Sequence, residues 1–330
     1  MLAIDCQATR LNLPALWTPA HGLLFEQRAV SVARWVLPIQ ALPPTNGLPR
    51  CIHQQWLRWL AGWHGLPDAA NTRLQLRIWR HAHGLSLSYV GMVWHEQASI
   101  AMQIAQTAAR WMHALLPTGY ACQVIEQHEQ LIDQLQDQWL RSLPYQAFVR
   151  LQHQAIVAQP FVSAYPSHAW QASLRALWAS ASPSLICLTV QPTQLYPEER
   201  AELQRQSDQP AAQLAQRWQH CWQRSLLVCS TDPLLLVAGL QADHAPSSQQ
   251  QLLDICLPQA EEHAAALAEV CWGNCEPWAT TDWAYQRLAQ LIANEQLMTW
   301  LSLPDLSPNE RQTYQISSTN PMEEAYAATL

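Results

Sequence analysis

The 330-residue chain contains no lysine, and all 18 of its basic residues are arginine. With lysine go Schiff-base chemistry, lysine general bases and the cation of a phosphate-binding loop. Glycine is scarce, nine in all, and no two of them form a G-x-G, so a glycine-rich nucleotide cradle is also missing. There is no G-x-S-x-G elbow, no C-G-x-C-W context and no H-E-x-x-H, which removes the common signatures of serine, papain-like and zinc hydrolases. Charged residues amount to only 13%, and the formal charge of -7 opposes a general grip on nucleic acid, whose phosphates are bound by clustered Lys and Arg. Direct nucleic-acid binding is therefore not expected. Long apolar runs are absent too. The strongest, LLVCSTDPLLLVAGL at 226–240, is interrupted by Asp232 and Pro233 and falls short of the roughly 20 residues that cross a bilayer, so no membrane span is expected.

What is present in quantity is apolar and amide. Hydrophobic residues make up 49% of the chain, which excludes wholesale disorder. There are 17 Trp and 39 Gln, the glutamines dispersed among Leu and Ala at helical spacing rather than in a tract. Exchange of Lys for Arg and Gln on solvated faces accounts for this pattern, since each replacement keeps good helix propensity. A surface with so little charge opposes association weakly, and self-association is expected. The nine Cys are odd in number and scattered, and the opening MLAIDCQATRLNLPALW lacks a basic flank followed by an apolar run. A cytoplasmic protein with reduced thiols is the expectation.

Hydrophobic period sets out the organisation. QRAVSVARWVLPIQAL at 27–42 reads as a strand ending at Pro43-Pro44, and Ile52, Trp56, Trp59, Leu60 and Trp63 form one apolar helix face, closed by Gly65 and Pro67. That tryptophan stripe reads as core. TRLQLRIW alternates Leu74, Leu76 and Ile78 with Arg73, Gln75 and Arg77, and LSLSYVGMVW follows after His83-Gly84, so a hairpin with one buried and one polar face is expected. Ile100, Ile104, Ala108, Trp111 and Leu115 then repeat at helical spacing, and YACQVIEQ reads as a short strand.

The same order returns twice. At 144–162 a second hairpin is expected, then a helix through Trp170, Leu174, Leu177 and Trp178, and the apolar strand SLICLTVQP. A long polar helix over 197–224 precedes a third hairpin around Asp232-Pro233 and a helix over 247–270 with a kink at Pro258. Helix-length segments at 281–293 and 294–302 end the folded region. The fold class is α+β: successive strand-strand-helix-strand modules, mostly antiparallel sheets covered by helices. The expected division is 1–140, 141–224 with the long helix, 225–304, and a flexible tail at 305–330.

Candidate chemistry is thin. Cys271 and Cys275, with Cys256 and His263 upstream, make the nearest approach to a metal motif, but the second close pair that a structural zinc site needs is not there. A Cys/His-dependent metalloenzyme or hydrolase built on this set is the rival to a non-enzymatic role. His81 and His83 flank the first hairpin turn, with His95 after it; residues two apart on a strand share a face and a chelate is conceivable, but the reading is solvated turn histidines. Cys122 and Cys187 lie in apolar strand-like runs, where a thiol stays buried and protonated. The pairs Glu198-Glu199 and Glu261-Glu262 point about 100° apart on helices and read as solvated faces. Arg73 and Arg77 share the polar face of one strand and are candidates to meet a partner's carboxylates or a nucleic-acid phosphate. No catalytic residue, cofactor or metal is assigned.

Three blocks carry a resemblance: VSVARWVLPIQALPP with WLRWLAGWHGL, LQLRIWRHAHGLSLSYVGMVW with LLPTGYACQVIE, and WQASLRALWASASPSLICLTVQPTQLYPEERAEL. With ANEQLMTWLSLPDL at their end, they make residues 27–306 resemble the non-motor N-terminal region of the DNA-translocating ATPases of conjugative type IV secretion systems and their HerA/FtsK-like relatives. In that family a Walker A loop follows; here no lysine exists to build one. The resemblance implies a stand-alone scaffold or adapter that associates with a separate ATPase or secretion-type component, or one half of a split, degenerate ATPase gene. In the tail, Met322, Tyr326 and Leu330 recur every four residues behind Pro321, the layout of a short helix that forms only against a partner, with Met322 and Tyr326 as anchors.

Overall fold

The computed structural model of the chain describes residues 7–13, 28–42, 50–81, 84–117, 119–123, 125, 145–151, 183–206, 210–230, 251–256, 291–294, 297, 301, 309 and 312. The strands are β1 (Gln7–Leu13), β2 (Arg28–Ala41), β3 (Thr72–His81), β4 (Gly84–His95), β5 (Ala121–Cys122), β6 (Tyr145–Leu151), β7 (Ser184–Thr193), β8 (Cys221–Ser230), β9 (Gln251–Cys256) and β10 (Leu291–Ala293). The helices are α1 (Arg50–His64), α2 (Ala98–Ala114), α3 (Pro197–Gln206) and α4 (Ala211–Arg217), with one 3₁₀ turn at Ala69–Asn71. All ten strands join one sheet in the order β1-β2-β4-β3-β7-β8-β6-β9, with β10 on β8 and β5 on β2. Every pairing is antiparallel. The expected α+β class with an antiparallel sheet and covering helices is what the chain forms.

The first strand-strand-helix-strand unit is complete. β3 and β4 pair along their whole length from Thr72↔Val93 to His81↔Gly84, as two runs of period 2 about a two-residue turn must. α2 packs on β2 and β4, and β5 then lies against the end of β2. Of the second and third units, β6, β7 and β8 stand where strands are expected. The second and third hairpins do not form as expected: β6 lies between β8 and β9, and β8 between β7 and β6, so both edges of each strand are filled by strands distant in sequence. The helix through Trp170 and Trp178 and the tail anchors Met322 and Tyr326 lie outside the described residues.

One face of the sheet carries Trp35, Leu37, Leu74, Leu76, Ile78, Tyr89, Leu188 and Trp222, all without solvent exposure, and α1 contributes Trp56, Trp59, Leu60 and Trp63 to the same core. The stripe expected on α1 is thus buried. Each fully buried aromatic of this kind stabilises by about 2–3 kcal/mol relative to exposure. The rings meet edge to face, Trp56 on Trp59 at 5.2 Å and 85°, and Trp56 on Tyr120 at 5.7 Å and 83°. Gly91 of β4 lies directly opposite Trp35 of β2, and a Cβ on Gly91 would sit 2.0 Å from the Trp35 ring. The glycine is the space into which the indole packs.

Several expectations are corrected. α2 buries Ala101, Ile104, Ala105, Ala108, Ala109 and Met112, leaving Trp111 and Leu115 more than a third exposed. Four alanines on one face let the helix lie close to the sheet, so the stripe is rotated, and the Trp111 ring lies instead across Gly62 of α1. The polar helix expected over 197–224 is two helices: α3 ends by Gln206, Pro210 caps α4, and the chain is already strand at Cys221. Gln251–Cys256, expected as helix, is β9, because pairing with β6 from Gln251↔Leu151 to Cys256↔Gln146 satisfies its backbone. Leu291–Ala293, within a segment expected as helix, forms β10 on the start of β8. Glu199 is not solvated: its carboxylate accepts from the Tyr196 backbone N–H at 2.8 Å, closing the first turn of α3 behind Pro197, whereas Glu198 is exposed.

Candidate functional site

The face of the sheet away from α1 was expected to be polar and open; it is polar and buried. β3 places Gln75 and Arg77 on this face, β4 places Ser88, and β7 places Cys187 and Thr189, with register pairs Gln75↔Thr189, Arg77↔Cys187 and Arg77↔Ser88. Each of these side chains is buried, Arg77 and Gln75 completely. The Gln75 carbonyl oxygen accepts both Nε (3.0 Å) and Nη2 (2.9 Å) of Arg77, while the amide nitrogen of Gln75 donates to the Thr189 hydroxyl at 3.1 Å. The Cys187 thiol lies 3.8 Å from the same hydroxyl. Flanking the network are Val32, Val36, Val90 and Met92, an apolar cluster on the same face.

This arrangement corrects the place given to Arg77. A strand arginine with no exposed surface is not presented to a partner; it organises the interior. Arg73 is partly buried. Its Nε donates to the Gln191 side-chain oxygen at 3.0 Å, and its guanidinium stands 4.5 Å from the centre of the Trp94 ring, a cation–π contact worth about 0.5–1 kcal/mol. The two arginines share a face as expected, but only Arg73 approaches solvent.

Cys187 is buried as the sequence suggests, Cys122 is half-buried, and both thiols stay protonated. Burial pushes the Cys122 thiol up to about 12, and burial raises Cys187 as well, only partly offset by the charge of Arg77 and hydrogen bonds from Thr189 and Arg77. Neither is a thiolate at neutral pH. Tyr89 is held well above the usual phenol range by burial, then by Tyr120 and Cys122, and its hydroxyl donates to the Leu301 carbonyl at 3.1 Å.

A second cluster had no signal in the sequence, because its members are 156 and 158 positions apart. His64, the last residue of α1, lies 4.9 Å from His220 with the rings tilted by 44°, and meets Trp222 edge to face at 4.6 Å and 76°. Its Nε2 is buried without a hydrogen-bond partner. Trp222 in turn donates its indole N–H to the Asn294 side chain.

Among the described residues no group of three or more His, Cys, Asp or Glu is arranged to hold a metal ion, and no helix is long and apolar enough to cross a membrane. Of the Cys/His set near 256–275, only Cys256 falls within the described residues, in β9; His263, Cys271 and Cys275 lie outside them. His95 accepts the Gln97 backbone N–H at 2.9 Å in a local turn. What the described chemistry can do is bind groups within the fold: it supplies hydrogen-bonded arginine and packed indoles, and no activated nucleophile. No protein-family model matches the chain, and no curated protein matches it.

Proposed function

We propose that the protein is a non-enzymatic scaffold or adapter that self-associates and attaches to a separate DNA-translocating or secretion-type ATPase. The observation that carries this reading is the order of elements on the blocks of resemblance. WLRWLAGWHGL falls on α1, LQLRIWRHAHGLSLSYVGMVW on the β3–β4 hairpin followed by α2, and SLICLTVQPTQLYPEERAEL on β7 and α3. These stand in a sequence whose lack of lysine leaves no phosphate-loop cation. The sheet supports an assembly role in a second way. β1 and β9 stand at its two ends, each with one strand partner among the described residues, and strand ends of this kind are where one sheet joins another chain.

The test is affinity recovery of the tagged full-length chain from its native host after mild cross-linking, with mass spectrometry of what comes with it. An ATPase or secretion component recovered in near-stoichiometric amount is the expected outcome. Recovery of neither, or ATP hydrolysis by the purified chain itself, overturns the proposal, and stoichiometric zinc in the purified protein would move the assignment to the Cys/His enzyme.

A further inference from the structure

The junction of His64, His220 and Trp222 ties three distant parts of the chain. His64 terminates α1; His220 precedes β8, and Trp222 lies in it. Asn294, which accepts from Trp222, stands at the end of β10 beside a helical turn whose Leu297 and Leu301 are fully buried in the main core. The imidazole of His64 therefore sits in a seam rather than on a surface. Trp222 meets it only as a near-perpendicular ring, and its Nε2 has no hydrogen-bond partner. The titratable group facing it is His220; Cys221 meets it through its backbone, while the Cys221 thiol contacts the Thr193 carbonyl and packs with Leu203 and Leu214.

We propose that this seam is a proton-operated latch: with His64 neutral, the end of α1 is locked to the start of β8, and protonation of His64 releases it. A proton arriving at His64 needs an acceptor for a second N–H and finds none, and it places a charge 4.9 Å from another imidazole. Both effects oppose the charged ring in the closed seam, and both vanish once water enters. Two smaller effects pull the other way, the hydrogen bond to the Cys221 backbone and the negative end of the α1 dipole. Burial dominates, then the His220 charge, and together they bring His64 from 6.5 down to about 4. The sign follows: between these two values the open seam binds a proton that the closed one refuses, so closure weakens as pH falls through that window and is complete above it.

Hydrogen–deuterium exchange of the full chain between pH 7 and 4.5, corrected for the intrinsic pH dependence, tests this. Amides of the last turn of α1 and of Cys221 to Gln223 are expected to lose protection by roughly tenfold on acidification, less than the full shift because the ring is partly solvated. Amides at the centre of β3 and β4 keep theirs. His64→Gln, which cannot titrate, is expected to abolish the pH dependence at the seam, and His220→Gln to reduce it. Should His64→Gln fail to fold, His220→Gln and histidine-selective NMR titration of the unaltered chain decide. An unchanged pH profile in His64→Gln, or a His64 ring titrating at its ordinary value, overturns the latch.

Discussion

The two faces of the sheet solve the same problem with different chemistry. Under α1 and α2 the surface is closed by aliphatic chains and indoles held chiefly by contact, with the indole N–H of Trp63 donating to the Thr72 hydroxyl and that of Trp222 to Asn294. On the other side Arg77, Gln75, Thr189 and Cys187 are equally dry, and each depends on a specific partner at a specific distance. An alternating strand says which residues share a face; it does not say which face meets water. Polarity signals exposure only where side chains cannot satisfy one another, and Gln75, with one acceptor and one donor end, bridges an arginine to a hydroxyl and removes the need for solvent.

The contrast makes the tryptophan face the more costly to break. Trp59→Ala removes a ring that touches Trp56, Trp63 and Tyr89 at centroid distances of 5.2, 5.7 and 6.5 Å. A loss of about 3–5 kcal/mol in chemical denaturation is expected, with loss of the near-ultraviolet dichroism of the packed indoles. An effect under about 1 kcal/mol would show that the face collapses to fill the void.

On the polar face the prediction is about coupling. Gln75→Leu leaves two guanidinium donors and the Thr189 hydroxyl without their bonds, and is expected to cost about 2–3 kcal/mol. Adding Arg77→Met on top of it should recover part of that loss, because the buried guanidinium that has lost its two bonds to Gln75 has gone. Simple additivity of the two substitutions in a double-mutant cycle would mean that the network is not a unit.

The smallest effect separates depth from clash. A Cβ at Gly62 would come within 2.1 Å of Trp111, almost as close as the Gly91 contact with Trp35, yet Trp111 is 38% exposed and can swing into water. Gly62→Ala is expected to cost about 1 kcal/mol or less, offset in part by better helix propensity, whereas Gly91→Ala exceeds it by about 2 kcal/mol because Trp35 has nowhere to go. Thermal denaturation of the two variants side by side decides; equal losses would mean that burial of the displaced ring is irrelevant.

How much of this was legible follows from where the information lies. The β3–β4 hairpin, α1 and β7 are visible because period and turn chemistry agree within a dozen residues. β9 is not: QLLDIC holds one β-branched residue among helix formers, and only the partner strand β6, about a hundred positions earlier, makes it extended. The break between α3 and α4 is written in Pro210, but the flanking glutamines and arginines favour helix on both sides and mask it. Glu199 looked like its neighbour Glu198, although a glutamate three residues after the position preceding a proline-initiated helix is a capping signal. The burial of Arg77 and the meeting of His64 with His220 had no local signature, since both depend on contacts between elements more than a hundred residues apart.

The pairing of Trp35 with Gly91 does more than fill space. Sliding β2 along β4 by two residues would keep every side chain on its proper face, so polarity alone does not penalise it. It would, however, set Trp35 opposite Tyr89 or Val93, where the indole has no recess to enter. The glycine thus acts as a key cut for one tooth: of the alignments that hydrophobic patterning would accept, it admits the one in which the large ring meets the missing side chain. Strand alignment in this sheet is selected by an absence.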